Sequence, residues 1–363
     1  MNANTSRPHP DGPDEHARWL LSGTARDLPT GRHELHKERL MAQIHEQQQD
    51  ERTTPSPAPR RRLRLPRPSI ALPLVAATVA GAVVLGLVQN DGGGAREGGV
   101  AVGPVLTTPI GAGSSKGVPQ LLDRISAAAG EKSHPTVEDG QFVYIESKVS
   151  DIFPQSIDGK ISVGSYALHR RQVWNSGDGT EGWLIDPAVN DSPEGQTLGL
   201  PDEKGNTPEA NLNAPSHEYL SELTTDPDEL LAKIYAETKG MGNSPDQQAF
   251  ATIGDLLGES YPPAELSVAL FKTAAKIPGV VVVDEAVDAA GRKGVAVARL
   301  DEVGGSREEW IFDRKTHAYL GSRTVQVRPG TGEDAVLKPG MVLHTSAIMT
   351  RAVVDGMREV PAG

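Results

Sequence analysis

The chain has 363 residues, 48 of them acidic and 36 basic, for a net charge of −12, and it contains no cysteine. Without cysteine, disulfides, lipid attachment through a thiol and thiolate zinc sites are all excluded. The charge is unevenly placed: residues 1–69 carry 12 Lys/Arg and 9 Asp/Glu, and the remainder carries 24 and 39.

Residues 1–26 are rich in Pro, Asp, His and Arg with little apolar period, so most of this cytoplasmic-type tail is expected to be disordered. From Thr30 or Gly31 the pattern changes, and a helix is expected over 31–48, with Leu40, Met41 and Ile44 on one side. That stripe is narrow, so it reads either as a solvated helix or as a face that docks on a partner. A Pro-rich spacer, TTPSPAP, follows at 53–59.

The next stretch divides the chain. Ile70–Val88 is a nineteen-residue run with no charged side chain. As a helix it would span roughly 28 Å, close to the ~30 Å hydrocarbon core of a bilayer. A transmembrane helix over 70–88 is therefore expected, with Pro73 in its first turn, where a missing N–H costs little. Arg60, Arg61, Arg62, Arg64 and Arg67 stand just before it, which places 1–69 in the cytoplasm and 89–363 outside. These arginines also suit anionic membrane lipids, at ~1 kcal/mol each as a maximum. They read as anchoring and give no reason to expect nucleic-acid binding. The run is too long, and too far from the N-terminus, for a signal peptide.

Residues 89–118 hold nine glycines and read as a flexible linker with a span of about 30 Å. An extracytoplasmic domain is expected over 119–363. Its first helix, Pro119–Ala129, has Leu121, Leu122 and Ile125 on one face. Gln141–Val149 reads as a strand, and Ser165–Trp174 with Glu181–Ile185 as a long hairpin around NSGDGT. Residues 186–216 read as a polar loop with no element of its own. Three helices follow, opened by Thr225-Asp226-Pro227, Ser244-Pro245 and Pro262-Pro263. Strands are then expected at 280–283, 295–300, 308–313, 319–327 and 341–354, joined by short turns. This gives an antiparallel meander, and the class is α+β.

No catalytic, cofactor or metal signature stands out. His33 and His36 lack the i,i+4 spacing of a zinc helix. The outer histidines (His134, His169, His217, His317 and His344) are scattered without a ligand pattern. Asp284/Glu285 and Asp301/Glu302 are adjacent carboxylates at strand ends, where neighbours point to opposite faces. The chain is read as a non-enzyme without cofactor.

Four motifs in order, D-L-P-x-G-R-H at Asp27–His33, L-L-D-R-I at Leu121–Ile125, Q-F-V-Y at Gln141–Tyr144 and W-I-F-D at Trp310–Asp313, carry a resemblance. With the block Pro262–Val327, the chain resembles an actinobacterial family of single-pass membrane proteins of uncharacterised function. The resemblance implies a layout similar to membrane partners of extracytoplasmic-function sigma factors. It also implies an outer domain akin to lipoprotein-carrier-like folds, an open antiparallel half-barrel with helices across its mouth. It supplies no catalytic residues. Two expectations follow: a sensing domain whose tail engages a cytoplasmic regulatory protein, or an anchored module that binds a lipid or other apolar ligand. A zinc-type anti-sigma domain, which needs H-x3-C-x2-C, is excluded by the missing cysteines.

Overall fold

The structure is a computed structural model, and it describes residues 101–132, 136–157, 160–190, 192–199 and 209–361. The expected tail, its helix over 31–48, the run 70–88 and the first part of the linker lie outside the described residues. Among the described residues, no helix is long and apolar enough to cross a membrane.

The strands, in chain order, are β1 (Val102–Gly103), β2 (Gly113–Ser114), β3 (Phe142–Ile157), β4 (Lys160–Tyr166), β5 (His169–Ser176), β6 (Gly182–Ile185), β7 (Gln196–Leu198), β8 (Val280–Val287), β9 (Lys293–Leu300), β10 (Ser306–Phe312), β11 (Tyr319–Gln326) and β12 (Val342–Val354). The helices are α1 (Val118–Gly130), α2 (His217–Glu222), α3 (Pro227–Glu237), α4 (Pro245–Glu259) and α5 (Ala264–Ala274). The strands form one open antiparallel sheet, ordered β2-β8-β9-β10-β11-β12-β3-β5-β6-β7, with β4 on β3 and β1 on β4. The domain is therefore α+β. The five expected meander strands are consecutive neighbours, as the short turns between them require.

Helix starts follow local chemistry. Asp226 caps α3 by accepting from the amides of Asp228 and Glu229 at 2.9 and 3.0 Å. Ser244 caps α4 by accepting from the Gln247 amide at 3.2 Å. Each is followed by proline in the first helical turn, where its fixed φ is already helical and its missing N–H costs nothing. The short helix α2 has Ser216 as its cap, accepting from the Tyr219 amide.

Alternation along β10 sorts its side chains onto two faces. Glu308, Trp310 and Phe312 face the helices, and Arg307, Glu309 and Ile311 face away. Trp310 and Phe312 are fully buried in a core with Leu122 and Ile125 of α1, Leu230 and Ile234 of α3, Phe250 and Ile253 of α4, and Leu270 of α5. The Trp310 indole lies flat on the Phe250 ring, with centroids 3.8 Å apart and planes 7° from parallel. One turn further along α4, a Cβ on Gly254 would stand 2.4 Å from the indole nitrogen. That helix face is a ring followed by a gap, and the indole fills both. Its N–H donates to Glu308 at 2.9 Å, so burial leaves no donor unpaired.

Three expectations need correction. Residues 101–118 are not a free tether. The Thr108 amide donates to Gly340 at 2.8 Å and the Val342 amide to Leu106 at 2.9 Å, while Gly113 and Ser114 pair with Val283 and Val282. Glycine permits this, because a backbone without Cβ can lie flat on a sheet. The strand expected at 165–174 is two strands, β4 and β5, that share β3. The register moves by one residue between Ile152↔Ser165 and Val149↔His169, leaving Ala167-Leu168 as a break. The loop expected over 186–216 carries β7, which pairs with β6.

At the far end of the sheet the face turned away from the helices has its own cluster of Phe142, Tyr144, Trp174 and Val354. The C-terminal segment packs there: Trp174 donates to the Glu359 carbonyl at 2.6 Å, and the Arg358 guanidinium lies 5.0 Å from the centroid of the Trp183 ring.

Replacing Trp310 with Ala empties the space between Phe250 and Gly254, and urea unfolding should show a loss of about 3–5 kcal/mol. Gly254→Ala should destabilise as well, since the added methyl meets the indole; a neutral result would mean that α4 is not seated on β10 as described.

Candidate functional site

The sheet region β12-β3-β5-β6 carries a polar cluster on the face shared with the helices. Cross-strand register assembles it. His344 pairs with Asp151, and His169 stands opposite Val149, two residues from Asp151 on the same face of β3. Asp186 follows the end of β6, and Arg171 lies two residues beyond His169 on β5, so both join the same face.

His169 is the centre of the cluster. Its side chain is 8% exposed and that of Asp186 5%. Nε2 lies 3.0 Å from Asp186 Oδ1 and Nδ1 lies 2.8 Å from the Ala167 carbonyl. A neutral imidazole has one N–H, so satisfying both acceptors requires the doubly protonated ring. Burial works against that charge. The hydrogen bond to Asp186, the Ala167 carbonyl and the charges of Asp186 and Asp151 outweigh it, and the His169 pKa is raised above its ordinary value. Burial likewise penalises the Asp186 carboxylate, but the hydrogen bond from His169 and the charge of Arg171 overcome it and hold its pKa below the usual range. Both shifts describe one charged pair.

Surrounding groups fix the pair in place. Asp186 Oδ1 accepts from the Ala188 amide at 3.0 Å, and Asn190 Oδ1 accepts from the Asp186 amide at 2.6 Å. Arg171 Nε lies 3.5 Å from Asp186 Oδ2, and its Nη2 lies 4.0 Å from Glu259 at the end of α4. Arg351 of β12 donates to the Leu257 carbonyl at 2.6 Å, a second link between the sheet and the last turn of α4. Nearer solvent, His344 Nδ1 lies 2.7 Å from Asp151 Oδ1. With both nitrogens facing acceptors, the His169 ring has no lone pair to take up a proton. The arrangement stores a charge that responds to pH and ties it to the end of α4.

The sequence-level candidates fare differently. Leu40, Met41 and Ile44 lie outside the described residues, as does His134. Asp284 and Glu285 are both exposed at a break in the β8–β9 register. Asp301 is taken up by Asn243 Nδ2, which donates at 2.6 Å, and by the Val303 amide at 3.0 Å. Neither acid pair converges on a common point. His217 Nδ1 lies 3.3 Å from the Tyr261 carbonyl, and His317 sits in a left-handed turn at φ 54°. Among the described residues no group of three or more acidic or histidine side chains could hold a metal. A shallow depression of about 290 Å³ at the start of α1 is lined by Lys116, Arg124, Asp284, Arg314 and His317. The meeting of His169 with Asp186 depends on register and on the turn after β6, neither of which leaves a spacing signature in the sequence.

These features define a class: an α+β domain with helices on one face of a large open antiparallel sheet. No family model matches the chain, and no curated protein matches it. Among solved structures, one match is a chain in the complex of MucA and MucB from Pseudomonas aeruginosa. It is 13% identical over 68% of this chain and 58% of that one, with a TM-score of 0.22. The chain thus spans less than two thirds of that structure's length, and a TM-score so low does not establish a shared fold.

The sign of the pH effect follows from the raised pKa. The stability that His169 contributes is complete below its unfolded value of ~6.5 and is lost as pH rises through the higher folded value. Asp186 acts in the opposite sense: its contribution is present above ~3.9 and is lost as pH falls through its lowered folded value. The gap in urea midpoint between the natural protein and His169→Gln should therefore narrow from about pH 6 to about pH 9. A gap that stays constant would assign the titration to another group.

Proposed function

We propose that this is a single-pass regulatory protein of the cell membrane. Its N-terminal tail is cytoplasmic, its α+β domain lies outside, and the tail acts on a cytoplasmic regulatory protein such as an extracytoplasmic-function sigma factor. The observation that carries the reading is the uncharged run Ile70–Val88 directly after five arginines, which supports both a span and its direction. The resemblance in motif order adds the regulatory layout, and the Leu40/Met41/Ile44 stripe gives the tail a face to dock with.

The second reading, a passive anchor for an apolar-ligand module, asks for room between sheet and helices. Phe250, Trp310, Phe271 and Phe312 occupy the region between β10 and helices α4 and α5, each at most 3% exposed. That packing favours the regulatory reading. The His169–Asp186 cluster gives the outer domain a group that answers to proton concentration.

Two experiments test the proposal. A reporter active only outside the membrane, fused after Gly117, should score positive, and the purified protein should keep its original N-terminus. Residues 1–69 used as bait against a co-expressed sigma factor should retain it. Leu40→Asp with Ile44→Asp should cut that retention at least about tenfold, since two charges would enter an apolar contact, while membrane insertion is unchanged. Equal retention by both baits would leave the tail as a passive anchor.

A further inference from the structure

None of residues 101–117 is buried, whereas the chain enters the core from Val118 onward. The exposed segment nevertheless follows a defined course over the sheet face opposite the helices. Leu106 and Thr108 exchange backbone hydrogen bonds with Val342 and Gly340 at the start of β12. The Thr108 hydroxyl accepts from Arg323 Nη1 of β11 at 3.2 Å. The Gly111 carbonyl accepts from Arg307 Nη1 of β10 at 2.9 Å. Gly113 and Ser114 then pair with β8 at the sheet edge. The segment crosses the meander like a strap.

Beneath it lies Glu309, fully buried, with Arg307 Nε donating to one carboxylate oxygen and Arg323 Nε to the other, both at 2.8 Å. Two guanidinium groups against one carboxylate leave a surplus positive charge. The strap answers it with neutral acceptors, one carbonyl and one hydroxyl. When the strap lifts, both arginines keep Glu309, and water can replace the two neutral acceptors. The sheet therefore does not need the strap in order to keep its buried charges paired. Clearance is narrow: a Cβ at Gly111 would stand 2.9 Å from a Val283 methyl, and one at Gly113 would stand 2.9 Å from a Val281 methyl. The segment passes over Val281 and Val283 of the apolar cluster on this face, but none of its own residues is buried, and a segment held mainly by hydrogen bonds belongs to the low-stability end of a fold.

We infer that residues 101–114 are a releasable strap latched by Arg307 and Arg323, and that its release adds these residues to the stretch of chain between Ile70–Val88 and the domain. Released, these residues would extend by up to ~3.3–3.6 Å each, so lifting the strap pays out slack toward Ile70–Val88. The inference rests on the membrane reading for its consequence, but the strap can be tested by itself.

The experiment is amide hydrogen exchange on the full chain in lipid nanodiscs. In the natural protein the Thr108 and Val342 amides should exchange well ahead of the Val297 and Trp310 amides in the core strands. Gly111→Val with Gly113→Val should speed Thr108 at least about tenfold further and leave Trp310 unchanged. Because the chain has no cysteine, Thr107→Cys with Met341→Cys offers a single disulfide across an existing bridge; once oxidised, it should slow Thr108 back toward the core rate. Common rates for Thr108 and Trp310 in the natural protein would make the strap an integral part of the fold and overturn the inference. So would a valine double variant that speeds both amides equally or neither. These rates are read whether or not the tail captures a partner, so failure here is distinct from failure of the regulatory reading.

Discussion

The domain depends on the contact between one indole and one helix. Trp310 lies against Phe250 and projects into the gap left by Gly254. That contact fixes how far α4 stands from β10, and α4 in turn positions both α3 and α5. Tyr235 of α3 donates to Asp246 in the first turn of α4 at 2.7 Å, and the two helices share the cluster around Ile234 and Ile253. Interiors are close-packed, so a displacement at the indole has nowhere to be absorbed. The last turn of α4 is then held over the sheet by Arg351 and Arg171, which joins the apolar core to the polar cluster around His169.

The same strand organises the opposite face by a different kind of chemistry. Arg307 and Glu309 alternate with Glu308 and Trp310, and Arg323 on β11 stands opposite Glu309. Burying three charges brings a desolvation cost that apolar residues of similar volume would avoid, so the triad is weak evidence for stability. What it supplies is direction: its donors point outward to a carbonyl and a hydroxyl of the segment lying above. One strand thus presents permanent packing on one side and a replaceable contact on the other.

Where the sequence spoke clearly, it did so through local chemistry. The cap-and-proline pairs at Asp226-Pro227 and Ser244-Pro245 marked α3 and α4 because capping is decided within four residues. The meander was legible because apolar runs and short turns leave few alternatives. Three things were hidden, each for a physical reason. The glycines of 101–117 look like a flexible linker in composition, and only the shape of the sheet beneath them shows that a bare backbone fits there. The break at Ala167-Leu168 depends on β3 being long enough to carry two partners in succession. His169 and Asp186 meet through register, and the intervening sequence gives no hint that one imidazole will face two acceptors.

The pairing of β3 with β12 sets an order on the birth of the fold. Phe142 faces Val354 and Asp151 faces His344, so one long edge of β3 has no neighbour until β12, some 190 residues later, has been made. The hairpin with β4 and β5 can form early, and the helices can collapse around their own apolar faces, but the two halves of the sheet join only at the end. Contacts so distant in sequence form slowly, and an unpaired edge invites pairing with another chain in the meantime. Until β12 is in place, the facing edges of β3 and β11 are where this chain is most open to pairing with another.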